Sequence, residues 1–167
     1  MFSSKSLEKY QKPELIEKYS EKMNAMKTKA LEKFNELQNQ IEKDLVPIDK
    51  TNLAGETNKN IHLFHTYISR QTEEKIALSN LKVNKEKIEG ELFDFYRNHS
   101  DISSKLKYEN AIAKYVYAHP CYIAINKLVK VQETLVGYLE NIITMIRDRG
   151  FAIKNVIEAV KIEMGMF

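Results

Sequence analysis

Apolar side chains recur along this chain at steps of three and four. From Pro13 onward, Ile16, Tyr19, Met23, Met26, Ala30, Phe34, Leu37, Ile41 and Leu45 fall at that spacing, which lines up one face of an amphipathic helix. Pro13 suits a first helical position, and Glu14 and Glu17 suit the positive end of the helix dipole. Val46-Pro47 ends the run, because proline disfavours helical geometry in the residue before it. A second helix, capped by Asp49 or Thr51, carries the stripe Leu53, Thr57, Asn60, Phe64, Tyr67, Gln71, Glu74, Leu78, Leu81, Lys85, Ile88, Leu92 and Phe95. Unbroken over about 45 residues, it predicts a helix of about 65 Å at 1.5 Å per residue. A bend or break near Gln71–Lys75 is the alternative. Polar members of such a seam cost stability and set register and oligomeric state.

Arg97-Asn98-His99-Ser100-Asp101 reads as a polar turn. Residues 104–118 form a third helix, with Leu106, Tyr108, Ile112, Tyr115 and Val116 on its apolar side, closed by His119-Pro120. A fourth helix over 120–148 has the seam Ile125, Leu128, Gln132, Leu135, Leu139, Ile142 and Ile146, widened by Tyr138 and Met145. Arg147 and Arg149 then suit a negative helix end, and Gly150 suits the left-handed residue beyond it. Apolar spacing restarts at Ile153, Val156, Ile157, Val160 and Met164, so Arg149-Gly150-Phe151 reads as a sharp joint before a fifth helix over 151–164. Nothing alternates with period two. The expected fold is all-α, a long-helix bundle with coiled-coil-like seams and a C-terminal helix pair for assembly. Three regions follow: a polar tail and extension helix over 1–45, a candidate DNA-binding region over 46–119, and a candidate oligomerisation region over 120–167.

With 167 residues the chain suggests one domain. Five glycines and three prolines among many Lys and Glu agree with long helices. A net charge of +3 is too small to argue for nucleic acid by itself, since patches matter more than totals. The one cysteine, Cys121, cannot form an internal disulfide, which suits a reducing compartment. No apolar run is long enough to span a bilayer, and Met-Phe-Ser-Ser-Lys-Ser lacks a signal-peptide core, so a soluble cytoplasmic protein is expected. His62 and His65 share a helix face, but no Glu or Cys at useful spacing completes a metal set. Cys121 has no identified base partner, and the phosphate-loop, dinucleotide and nucleophile-elbow patterns are missing. The expectation is a protein that is not an enzyme and needs no cofactor.

Basic residues cluster at Lys75, Lys82, Lys85 and Lys87, at Lys105, Lys107 and Lys114, and at Lys127, Lys130, Arg147, Arg149, Lys154 and Lys161. Phe93, Phe95, Tyr96, Tyr108, Tyr115 and Tyr117 interleave with the first two groups. Single-stranded nucleic acid is held by this combination, cations on phosphates and rings on bases. Core aromatics among solubilising lysines give the same pattern, and Glu86, Glu89, Glu91 and Asp94 are interspersed. The residues expected to meet DNA are Lys75, Lys82, Lys85, Lys87, Tyr96, Lys105, Lys107, Arg147, Arg149 and Lys154. Those expected to hold an oligomer together are Leu139, Ile142, Ile146, Phe151, Ile153, Val156, Ile157 and Val160, too many apolar residues for a lone surface helix.

The chain also resembles a known family. The run Arg149-Gly150-Phe151-Ala152-Ile153-Lys154-Asn155, with the amphipathic helix after it, is similar to the C-terminus of the UvsY recombination mediators of T-even-like phages. Leu37-Gln38, Ile41, Lys43-Asp44, Ile48-Asp49, Thr51, Leu53 and Glu56 resemble that family's opening segment, and Asp94-Phe95-Tyr96 resembles the run that ends its long helix. The likeness extends from about Leu37 to the C-terminus, is thin between Arg97 and Ala124, and leaves the first thirty or so residues as an extension. It implies a non-catalytic mediator forming rings of six or seven subunits. Such a protein binds single-stranded DNA and helps load a RecA-type recombinase onto strands coated with single-strand-binding protein, in the cytoplasm of an infected bacterial host. Gly90 and Leu92 stand where the family pattern has two basic DNA contacts, with Lys85 and Lys87 as possible substitutes. The competing reading is a helical coiled-coil scaffold or adaptor without nucleic-acid binding.

Overall fold

The computed structural model describes residues 7–100, 103 and 108–165, apart from the side chain of Glu8. Among them the fold is all-α: a short 3-10 turn at Glu8–Tyr10, then α1 (Pro13–Asp44), α2 (Leu53–Asn98), α3 (Glu109–Ala118) and α4 (Pro120–Glu163). They pack as two units. One combines Met1–Leu31 with Ala77–Glu133, and the other combines Glu32–Ile76 with Thr134–Phe167.

The start of each helix follows from its sequence. Pro13 opens α1. The Asn52 side chain caps α2 by accepting the Gly55 amide at 3.0 Å, while Asp49 instead closes the preceding turn by accepting from the Thr51 amide and hydroxyl. The cap is therefore Asn52, not Asp49 or Thr51. His119 caps α4, its Nδ1 accepting the Cys121 amide at 3.2 Å. Burial holds the His119 pKa below the usual histidine value, which keeps the ring neutral and able to accept. The third helix begins at Glu109, and the earlier part of its expected span, 104–107, lies outside the described residues.

In the first unit, Leu81, Ile88, Leu92 and Phe95 of α2 meet Ile112 and Val116 of α3 and Cys121, Ile125 and Leu128 of α4, with Met23 of α1 closing the cluster. In the second, Leu37 and Ile41 of α1, Leu63 and Tyr67 of α2, and Leu135, Leu139, Ile142 and Ile146 of α4 form the core. Each fully buried side chain of this size contributes about 1.5–3 kcal/mol. Within the same unit, Phe34 packs on Tyr138, ring centroids 4.8 Å apart. The Tyr67 hydroxyl donates to Asp44 at 2.8 Å.

The long second helix is one α-helix of 46 residues; it does not break at Gln71–Lys75. Its polar stripe members are put to use. Asn60 donates to the Ile146 carbonyl at 3.1 Å, and Glu74 pairs with Lys33 at 2.8 Å. Two expected seam residues, Met26 and Met145, are exposed instead, as is Met164.

The expected joint at Arg149-Gly150-Phe151 does not exist. α4 runs through Gly150 as one helix of 44 residues, so the C-terminal helix pair is a single helix. The left-handed glycine lies at Gly165, with φ of 70°, just past the true helix end. Gly150 serves a close approach instead: a β-carbon there would lie 3.0 Å from the Asn60 side-chain nitrogen.

Candidate nucleic-acid interface

In the first unit, the second half of α2 presents Lys82, Lys85, Glu86 and Glu89 toward Asn126, Lys130 and Glu133 of α4, lining an open hollow of about 430 Å³. Steps of three and four on both helices make this a shared face. At one end of it the Lys85 ammonium lies 5.5 Å from the centre of the Tyr122 ring. Tyr122 packs on Tyr117 of α3, centroids 5.0 Å apart, and Tyr117 is among the exposed rings of the molecule. Its hydroxyl donates to Glu89 at 3.0 Å, and that bond raises its pKa. Lys114, exposed one turn earlier on α3, shares the face of Tyr117. Lysines beside accessible rings supply what a single strand requires, charge for phosphates and π faces for bases.

The hollow itself is close to charge balance. Lys82 pairs with Glu133 at 2.8 Å, and Glu89 is engaged by Tyr117. Lys85 and Lys114 form no ion pair among the described residues, so they are the cations most ready to accept a phosphate.

The structure separates the DNA-contact residues expected from sequence. It brings Lys82 and Lys85 together here. Lys87 faces a different groove, between α1 and α2. Tyr96 is half-buried against Phe95 (5.1 Å between centroids), Tyr115 (5.6 Å) and His119 (6.2 Å), and its burial raises its pKa; it is packing rather than a free stacking platform. Lys75 and Arg147 are exposed and belong to the second unit. Lys154, also there, lies 3.8 Å from Glu158. Lys105 and Lys107 lie outside the described residues.

Arg149 is a correction. It is buried, paired with Glu56, and donates to the Val46 carbonyl at 3.3 Å. The hydrogen bond from Arg149 is the main cause of the lowered Glu56 pKa. Both bonds leave from Nη2, and Nη1 is buried without a partner; the arginine ties the segment before α2 to α4 and is closed to a phosphate by burial. Leu92, at a position where the family pattern has a cation, is fully buried. Sequence reading named Lys114, Lys130 and Tyr117 without selecting them and passed over Tyr122. The signal available was the matching polar spacing of 82, 85, 89 and 122, 126, 130, 133.

The expected assembly residues divide as well. Leu139, Ile142, Ile146 and Ile153 are buried inside their own unit, so they are not on offer to a partner subunit. Phe151 is 61% exposed, and Val156, Ile157 and Val160 are half-buried. On the side of α4 away from Phe151, Ile153 and Ile157 with Gly150, Lys154, Thr57, Asn60 and Ile61 line a largely apolar groove of about 300 Å³.

Residues 40–166 match the family described as recombination, repair and ssDNA binding protein UvsY. The chain belongs to the UvsY family. No curated protein and no solved structure matches it. The family span contains the whole Lys82–Lys85–Tyr117–Tyr122–Lys130 face, whereas the 3-10 turn and most of α1 precede it. Among the described residues there is no cluster of His, Cys, Asp and Glu able to hold a metal ion, and no helix long and apolar enough to cross a membrane.

Proposed function

We propose that this UvsY-family chain binds single-stranded DNA across the α2–α3–α4 face. It acts there as a non-catalytic recombination mediator, helping a RecA-type recombinase to replace single-strand-binding protein in the cytoplasm of an infected bacterial host. The observation that carries the DNA site is the set of lysines around the Tyr117 and Tyr122 rings, which pack tilted against each other, on residues inside the family span. This face lies wholly within the span matched by the family, which favours it over any surface that needs the N-terminal extension.

A near-balanced face binds weakly in one copy. Repetition through a ring multiplies weak contacts by effective concentration. The half-buried apolar side of α4, Val156, Ile157 and Val160, together with the exposed Ile61 of α2, is the surface proposed to close a ring of six or seven subunits. A partner covering it would remove an apolar strip that a soluble monomer gains nothing by exposing.

The alternation of Lys82, Lys85 and Lys130 with Glu86, Glu89 and Glu133 favours one competitor, a helical scaffold without nucleic-acid binding. Light scattering with and without oligo(dT) at low salt separates the two. A multimer whose mass rises with oligo(dT) is the expected result. A monomer or dimer indifferent to oligo(dT) refutes the mediator reading.

A further inference from the structure

On the opposite side of α2 from the proposed DNA face, the first unit has a second groove with different chemistry. It runs between α1 and α2 as two adjoining hollows of about 280 and 340 Å³ that share Lys9, Tyr19, Lys22 and Ile88. The floor is hydrocarbon and sulfur: Leu15, Tyr19, Ile88 and the buried Cys121. The rim is cationic: Lys18 and Lys22 from α1, Lys87 from α2, and Lys9 from the turn before α1.

The one carboxylate lining it is already satisfied. Glu91 is 3% exposed, accepts from Lys9 at 2.7 Å and from the Tyr10 hydroxyl at 2.5 Å. Lys18, Lys22 and Lys87 form no ion pair among the described residues. The acidic residues of α1 do not answer them. At about 100° per residue, Glu14, Glu17 and Glu21 fall on the side of Lys18 away from Tyr19 and the groove. From α2 the groove receives Asn84 and Lys87, both without negative charge.

We propose that this groove docks an acidic peptide segment of a partner protein, with one apolar side chain of that segment seated on the Leu15–Ile88–Cys121 floor and its carboxylates on Lys18, Lys22 and Lys87. The combination of an apolar floor and an unmatched cationic rim is complementary to a ligand that carries both anions and a hydrocarbon anchor. A single strand fits less well. A base entering the hollow would bury its polar edge where the Tyr10 hydroxyl is already taken by Glu91, leaving hydrogen-bonding groups unpaired. The groove is also built by residues that precede the family span, since Lys9, Leu15, Lys18 and Lys22 all lie before residue 40. One wall of the site thus lies outside the family span, and the site does not depend on the proposed DNA face.

The probe is a fluorescein-labelled peptide of aspartates around one phenylalanine, followed by anisotropy on the full-length protein at low salt. Lys18→Gln/Lys22→Gln, two exposed positions on one helix, should weaken it about tenfold or more, and exchanging the peptide's phenylalanine for serine should do the same. Leu15→Asp, which places a carboxylate on the floor and leaves every lysine in position, should also abolish binding. Oligo(dT) affinity of all variants should stay unchanged. The proposal is overturned if both peptides bind alike, if the lysine variant binds as the parent does, or if oligo(dT) displaces the peptide. The last result would make the groove a nucleic-acid site. Failure of oligo(dT) binding on the parent protein would refute the DNA reading and leave this one standing.

Discussion

Replacing Lys85 and Lys114 with glutamine should reduce both the affinity for single-stranded DNA and its salt dependence. These two were chosen because neither is in an ion pair among the described residues; Lys82, by contrast, would have to leave Glu133 to reach a phosphate. Lys85 does lie 5.5 Å from the Tyr122 ring centre, but an exposed contact of that kind is worth only about 0.5–1 kcal/mol, a small cost for turning the ammonium outward to a phosphate. Each phosphate contact on a single strand contributes about 0.7 to the slope of log affinity against log salt, so losing two lowers the slope by about 1.4. Extrapolated from about 1 M salt, where counterion release vanishes, the double variant should bind roughly 60-fold more weakly at about 50 mM salt and roughly tenfold at about 200 mM. Anisotropy with a labelled oligo(dT) of about eight nucleotides, short enough for one site, measures both. Equal losses at the two salt concentrations would mean that the lysines act through packing. No loss at either would remove the face from consideration.

Two further predictions follow from exposure and burial. Ile61→Asp with Ile157→Asp should lower the mass of the assembly in light scattering while leaving the helical circular dichroism intact, because Ile61 is exposed and Ile157 only half-buried; an unchanged mass would remove this surface as the interface. Cys121 should be slow to alkylate: burial, the main cause, pushes its thiol pKa up to about 11, so the reactive thiolate is roughly a hundredfold scarcer near pH 8 than for a free thiol and the rate should keep climbing above that pH. Tyr10→Ala, which uncovers the hollow that Tyr10 and Cys121 both line, should speed alkylation by about tenfold or more, and an unchanged rate would show that the cover lies elsewhere.

The periodicity made the helical faces legible, because a stripe at steps of three and four has only one side to bury. Tyr67 and Leu92, picked from the α2 stripe, are both fully buried, and even Asn60 and Glu74 in that stripe face neighbouring helices. What periodicity does not encode is which helix faces which. Arg149 looked like a surface cation because its partner Glu56 is 93 positions away in sequence, and no local pattern links the two. The DNA-contact expectation was scattered for the same reason. Lys82, Lys85 and Lys87 are neighbours in sequence, yet a turn of 100° per residue sends Lys87 to the α1 side and leaves the other two with Tyr122. The family resemblance located the matched span to within a few residues but offered nothing for Lys18 and Lys22, which lie before it.

Gly150 is where local reasoning and tertiary structure disagree most sharply, and a double-mutant cycle distinguishes the two accounts. If the residue were a left-handed joint, alanine would be strained there by the backbone alone, whatever stood opposite. In the structure the backbone is helical, so alanine should favour the helix by up to about 1 kcal/mol. The opposing cost is contact. The new methyl would sit 3.0 Å from the Asn60 nitrogen, and moving Asn60 aside would weaken its 3.1 Å hydrogen bond to the Ile146 carbonyl, a bond of about 1 kcal/mol. Gly150→Ala in the parent chain should therefore be near neutral in chemical denaturation. In an Asn60→Ala background, where the contact is gone, the same change should stabilise by about 0.5–1 kcal/mol. Destabilisation of equal size in both backgrounds would mean that the backbone at Gly150 is not helical in solution. It would also restore the joint that the Arg-Gly-Phe run suggests.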